Sequence, residues 1–259
     1  KDLPVGEHME SHVGTSELLF TMTQGFGYVS GMLEHMLNPL LLLTTKNLGI
    51  LSDPGVEGNA FLRSGLDNST TWPDVQLFLM AVTPAIDGGF KMKRVYSYGN
   101  ELFDTVRPLA FQDAFTIVPY LLHPKSVGKV RLRDDNPRSK PELITNYFTH
   151  PDDVRTMIWA IRFVQRLVAT PPFRKLNAEL FDAPNPFCLD WDYDSDQYWE
   201  CAIRANTQTC YHDVGSCKMG PVTDPTAVVD HRLKVHGIQR LRVIDGSIMP
   251  TVTSAFFER

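Results

Sequence analysis

Apolar residues gather in four short stretches, Glu17–Thr23, Val75–Val82, Phe115–Leu122 and Lys129–Arg133, and each predicts a β-strand. Val75–Val82 and Phe115–Leu122 are apolar on both faces, as central strands of a sheet are. In Lys129–Arg133 charged and apolar residues alternate, which suits a strand with one wet face. Asp134-Asp135-Asn136-Pro137 then turns the chain. A different period governs Val154, Met157, Ile158, Ile161, Val164, Leu167 and Val168, which recur at helical spacing. They predict a helix over Asp152–Ala169, capped by Thr149, with Pro151 in its first turn and Pro171-Pro172 as its stop. Its apolar stripe should pack against the two apolar strands. Arg155, Arg162 and Arg166 fall off the stripe, on a solvated face. Ser195 predicts the cap of a second helix running to about Asn206, and Gly31–Leu37 reads as a third, ended near Pro39. Helices and strands mix without regular β-α-β alternation, so the fold class is α+β. In the tail, Val228-Val229-Asp230 and Leu241–Gly246 predict a short strand, a turn and a strand ending in Asp-Gly.

The 259 residues are 43% hydrophobic and 21% charged, enough for one large or two ordinary folded domains and unlike a disordered chain. The net charge of −5 argues against a nucleic-acid-binding protein. The longest apolar run, around Leu40–Leu43, is far short of the roughly 20 residues of a membrane span. The chain opens without Met, basic leader or apolar signal core, and both ends read as cut from something longer.

The candidate chemistry lies late in the chain. Cys188, Cys201, Cys210 and Cys217 share one window without any C-x-x-C pair. A tetrahedral site from Cys201, Cys210, His212 and Cys217 can be drawn, but its spacing is unlike known zinc modules. A Cys188–Cys201 bridge across the acidic turn of Asp190, Asp192, Asp194 and Asp196 fits better, leaving Cys210 and Cys217 free; two buried thiols are the plain alternative. A bridge would imply an oxidising compartment. Gly25-Phe-Gly27-Tyr-Val-Ser30-Gly31 has Ser30 where a dinucleotide fingerprint needs its third glycine, so it reads as a loop. Ser247 with His212 and an aspartate lacks the G-x-S-x-G elbow of a hydrolase. The informative segment is Tyr211–Pro221, where His212 sits among small residues. An imidazole there can act as a general base or simply pack.

The motifs beyond His212 resemble the C-terminal signature of glucose–methanol–choline (GMC) oxidoreductases. They are Asp224-Pro225, Val228-Val229-Asp230, Leu233–Ile238 and Leu241–Thr251. Leu3–His12 resembles the segment by which these enzymes enter their substrate domain. Trp72–Gln76, Pro124–Val130, Asn146-Tyr147-Phe148 and Tyr198–Cys201 are similar to the glucose-dehydrogenase-like branch typical of insects. The resemblance covers essentially the whole chain.

It implies an antiparallel-sheet substrate domain backed by helices, plus the C-terminal part of a Rossmann-type FAD domain. Residues 1–14 would connect the two, 15–209 would be the substrate-binding domain and 210–259 would return to the FAD domain. His212 would be the general base of FAD-dependent alcohol oxidation, with oxygen or a quinone as electron acceptor. Asp245 and Gly246 would run along the flavin, and no metal is implied. The parent protein would be extracellular or lie in the secretory-pathway lumen. Two departures stand out. No G-x-G-x-x-G for the ADP moiety occurs, and Phe256 stands where the family has a second catalytic Asn or His. The chain is therefore expected to be incomplete and inactive alone. A non-catalytic binding module derived from the family is the alternative.

Overall fold

The structure is a computed structural model and describes residues 2–23, 29, 55–67 and 71–255. Nine strands are present among these residues: β1 (Val13–Thr15), β2 (Leu19–Thr21), β3 (Gly58–Leu62), β4 (Val75–Met80), β5 (Ala114–Leu121), β6 (Lys129–Arg131), β7 (Glu142–Ile144), β8 (Glu179–Leu180) and β9 (Thr207–Thr209). Seven form one sheet in the order β3-β4-β5-β1-β9, with β2 also beside β5 and β8 beyond β2; every pairing is antiparallel. The two apolar strands read from the sequence are β4 and β5, and β5 is buried along its whole length. The alternating Lys129 strand instead pairs with β7 in a separate hairpin.

Helices α1 (Met92–Val95), α2 (Asn100–Val106), α3 (Pro151–Val168), α4 (Pro171–Arg174) and α5 (Asp196–Ala205) complete the described elements, with short 3-10 turns at Arg107–Leu109 and Gly246–Ile248. The predicted stripe of α3 is largely right. Val154, Met157, Ile161, Val164 and Val168 are buried, with Ala160 among them, against Phe20, Leu77, Phe115 and Ile117 of the sheet. Tyr198, Trp199, Ala202 and Ile203 of α5 close the same core. Each such buried large side chain contributes about 1.5–3 kcal/mol. A second core, from Tyr96, Tyr98, Leu102, Phe103 and Val106, packs on Leu19 and Ala114.

Three sequence expectations need correction. His150, not Thr149, caps α3: its side chain accepts from the Asp152 N–H at 3.2 Å, while the Thr149 hydroxyl donates to the Asn146 carbonyl. Arg162 is not simply solvated, since it grips Asp194 at 2.7 Å and Asp196 at 2.8 Å and so ties α3 to the start of α5. The tail strands are absent as well. Val229 and Lys234 make only isolated bridges, to Met219, Val235 and Arg242. The Asp230 carboxylate accepts from Arg232 N and Lys234 N, and Leu233, Gly237 and Arg240 adopt positive φ, so turns interrupt pairing after each bridge. Ser195 caps α5 as expected, accepting from Tyr198 N. The Gly25–Gly31 loop, apart from Val29, and the Gly31–Leu37 helix lie outside the described residues.

Cys188 and Cys201 are bridged, with Cα atoms 5.8 Å apart, and Cys210 and Cys217 are free thiols. The bridge takes Cys201 out of the tetrahedral site that spacing allowed. It closes a loop spanning 13 positions, from a fully packed Cys188 to α5. We expect the Cys188→Ser/Cys201→Ser protein to lose about 3 kcal/mol of stability in urea titrations, by the loop-entropy relation. An unchanged midpoint would show that packing alone fixes this loop.

Candidate active site

The register of three adjacent strands builds the site. Val13 of β1 pairs with Leu121 at the end of β5 and with Thr209 at the end of β9. His12 precedes β1, His123 follows β5 and His212 follows β9, so the antiparallel order delivers three histidines to one end of the sheet.

His12 is completely buried. Its Nδ1 lies 2.9 Å from Nδ1 of His212, the rings meeting edge to face with centroids 5.1 Å apart. Its Nε2 lies 2.8 Å from the carbonyl oxygen of Thr253. Burial pushes His12 down from the ordinary histidine value to about 4, against the bond to Thr253 and with His212 and His123 adding to the fall. His12 is therefore neutral at physiological pH.

The segment that supplies the Thr253 carbonyl is clasped residue by residue. Val252 N donates to Glu10 Oε2 at 3.0 Å, and Ser254 Oγ lies 3.0 Å from His123 Nε2. Glu10 is itself buried, which raises its pKa, and its other oxygen lies 3.4 Å from His8 Nε2. His212 is half-buried on a loop stitched to the N-terminal segment. Val214 N donates to Glu10 O, Glu10 N to Val214 O, and Gly6 N to Ser216 O. Gly215 is the small residue this stitching requires. Its φ is +86°, and a Cβ there would sit 2.7 Å from His8 Nδ1 and 3.1 Å from the His8 carbonyl.

The Asp245-Gly246 turn lies against the same loop. Ser247 O accepts from Cys217 N and Ile248 O from Met219 N, both at 2.8 Å. The Asp245 carboxylate accepts from Ser247 N at 2.9 Å and so caps the turn. A Cβ on Gly246 would meet Asp213 O and Val214 Cγ1 at an ordinary 3.8 Å, so nothing in the chain's own packing demands a glycine. Tyr211 and Ile244, next to His212 and Asp245, are 79% and 72% exposed. Gly246 is thus a glycine that the chain's own packing does not need, facing the loop of His212 at Asp213 and Val214.

Sequence reasoning named His212, Asp245 and Gly246, and the structure packs the Asp245-Gly246 turn against the loop that carries His212. It missed His12, His123 and Glu10 as site residues, although Leu3–His12 carried part of the resemblance. Only the strand register, which no local pattern encodes, could have found them. Phe256 lies outside the described residues. Cys210 offers no rival nucleophile, because burial pushes its thiol up to about 11 beside Tyr120. Among the described residues no three or more His, Cys, Asp or Glu side chains group as metal ligands.

The family model described as GMC oxidoreductase matches residues 124–257. The chain belongs to the GMC oxidoreductase family. A similar GMC relative is glucose dehydrogenase [FAD, quinone] of Drosophila melanogaster, 39% identical over 209 residues, which are 80% of this chain and 31% of that protein. Alcohol dehydrogenase [acceptor] of Pseudomonas putida is 28% identical over 98% of this chain and 41% of its own length. The structure of formate oxidase from Aspergillus oryzae superimposes with a TM-score of 0.71 at 24% identity, covering 97% of this chain and 44% of that one, which shows the fold alone. The chain thus spans less than half the length of these proteins. GMC membership implies FAD as the cofactor.

Proposed function

We propose that this chain carries the proton-accepting and flavin-facing half of an FAD-dependent enzyme that oxidises a sugar-like or other CH–OH donor. His212 takes the hydroxyl proton as the carbinol hydrogen departs. When bound, FAD supplies the acceptor for that hydrogen and its electron pair, which pass on to a quinone or oxygen. Asp245 holds the turn in shape through Ser247 N, and Gly246 leaves room for the flavin ring to approach. His12 and the clasped segment 252–254 hold the imidazole and keep water from its inner edge. On this reading residues 15–209 form the substrate-binding domain, 210–259 belong with the FAD domain and 1–14 connect them.

The observation that carries the proposal is the His12–His212 contact at 2.9 Å, on a loop packed against a glycine turn the chain does not itself need. An imidazole anchored through one nitrogen by a buried neutral partner is oriented for proton transfer through the other. The Cys188–Cys201 bridge supports an extracellular or secretory-lumen site of action. No helix among the described residues is long and apolar enough to cross a membrane.

The test is anaerobic rapid mixing of the flavin-loaded native protein with glucose and a panel of primary and secondary alcohols, following loss of the oxidised-flavin absorbance. Bleaching by at least one alcohol is expected. Residues 1–259 given excess FAD form the comparison arm. Their sequence holds no G-x-G-x-x-G turn to meet the pyrophosphate, so weak binding and no turnover are expected there. A flavin-loaded native protein that no alcohol bleaches would favour the binding-module reading.

A further inference from the structure

We propose that His12 is a positioning residue that fixes His212 in its Nδ1-protonated tautomer, making Nε2 the nitrogen that receives the alcohol proton. The inference rests on the reading of His212 as the base.

The acceptor-only partner at one end fixes the direction of each hydrogen bond in the chain. The Thr253 carbonyl oxygen can only accept, so His12 Nε2, 2.8 Å away, carries the hydrogen. His12 is a buried ring beside two other imidazoles, and burial holds it neutral down to about pH 4. A neutral ring protonated at Nε2 has a lone pair at Nδ1, which can only accept. His212 Nδ1 lies 2.9 Å from that lone pair, so it is the donor. The hydrogen bonds run one way, from His212 Nδ1–H to His12 Nδ1 and from His12 Nε2–H to Thr253 O. They leave Nε2 as the basic nitrogen of His212.

An isolated neutral imidazole prefers its proton on Nε2, the arrangement least useful for a base that must present Nε2 to substrate. The protein reverses the preference with one backbone carbonyl. That carbonyl is itself held, because Val252 N is bound to Glu10 and Ser254 to His123 on either side of it. Residues 252–254 thus set the proton position of a side chain some forty positions earlier. A wrong tautomer is costly in catalysis: removing the group that sets it in a serine-protease triad lowers kcat by about 10⁴.

The experiment is ¹⁵N–¹H long-range correlation NMR on the full chain, ¹⁵N-labelled at its eight histidines. Scalar coupling across the N–H···N bond identifies the two joined rings without any substitution. The expected result is a coupled pair in which His212 has a pyrrole-like Nδ1 and a pyridine-like Nε2, and His12 the reverse. In His12→Phe, His212 should lose its protonated Nδ1 signature, and kcat of the flavin-loaded native protein should fall about tenfold or more with KM little changed. A protonated Nδ1 on His12, an imidazolium on His212 at neutral pH, or no coupling between the rings would overturn the proposal. The wild-type spectrum decides it even if His12→Phe does not fold. If the tautomers are as stated but His212→Ala leaves flavin reduction unaffected, the general-base reading fails and the hydrogen-bond direction stands.

Discussion

His212→Ala is expected to slow alcohol-dependent flavin reduction about 10²–10⁴-fold in the native protein, with the flavin still bound. Removing a hydride from an alcohol carbon is unfavourable while the hydroxyl keeps its proton, because positive charge builds on the oxygen. A base at hydrogen-bond distance removes that charge as it forms, and water in a half-closed site is a poor replacement. The substitution leaves the fold's main supports in place, since His212 is half-buried on a loop held by backbone bonds between Val214 and Glu10. The deficit should therefore appear in the reduction rate constant rather than in alcohol affinity. His123→Ala provides the contrast. His123 binds Ser254 and bears on His212 only indirectly, through the clasped segment and its electrostatic effect on His12, so its effect should be much smaller. A His212→Ala protein that reduces its flavin within threefold of the parent rate would mean that another group takes the proton.

The sheet and its main helix were legible because their information is local. The stripe from Val154 to Val168 repeats at the helical period, and β4 and β5 are apolar enough to be recognised as central. Caps were legible where a short hydroxyl side chain sits at the boundary, as at Ser195. They were missed where an imidazole did the capping, as at His150. The tail misled because Val228–Asp230 and Leu241–Gly246 have strand composition, but the positive-φ residues Leu233, Gly237 and Arg240 between them leave only single bridges. The candidate-site residues divide the same way. His212 and Gly246 sit in recognisable motifs, whereas His12 and His123 matter only through the pairing of Val13 with Leu121 and Thr209. Pairing register depends on residues more than a hundred positions apart, and no window of sequence contains it.

Two buried ionisable groups should give the fold a pH dependence that only substitution reveals. Burial lowers His12 to about 4, below the ordinary histidine value. Burial raises the half-buried Glu17 to about 7, although Asn206 and Asn185 both donate to its Oε1. Between about pH 4 and 6.5 the unfolded chain binds a proton on His12 and the folded chain does not, so this group destabilises the fold as pH falls. Between about pH 4.5 and 7 the folded chain keeps a proton on Glu17 that the unfolded chain has released, so that group destabilises the fold as pH rises. Each shift corresponds to about 3 kcal/mol across its window, and over the shared range the two cancel. Glu17→Gln keeps an acceptor for both asparagines and removes only the second dependence; its stability should climb by about 3 kcal/mol from pH 4.5 to 6.5. His12→Asn removes only the first, and its stability should fall by a similar amount over the same interval. His8, Glu10 and the surface carboxylates are common to both variants and drop out of the comparison. Urea titrations of the full chain at pH 4.5, 5.5 and 6.5 would show the two profiles diverging in sign. Parallel profiles would mean that neither group holds the protonation state its burial dictates, and the neutrality of His12 on which the orientation of His212 depends would fall with them.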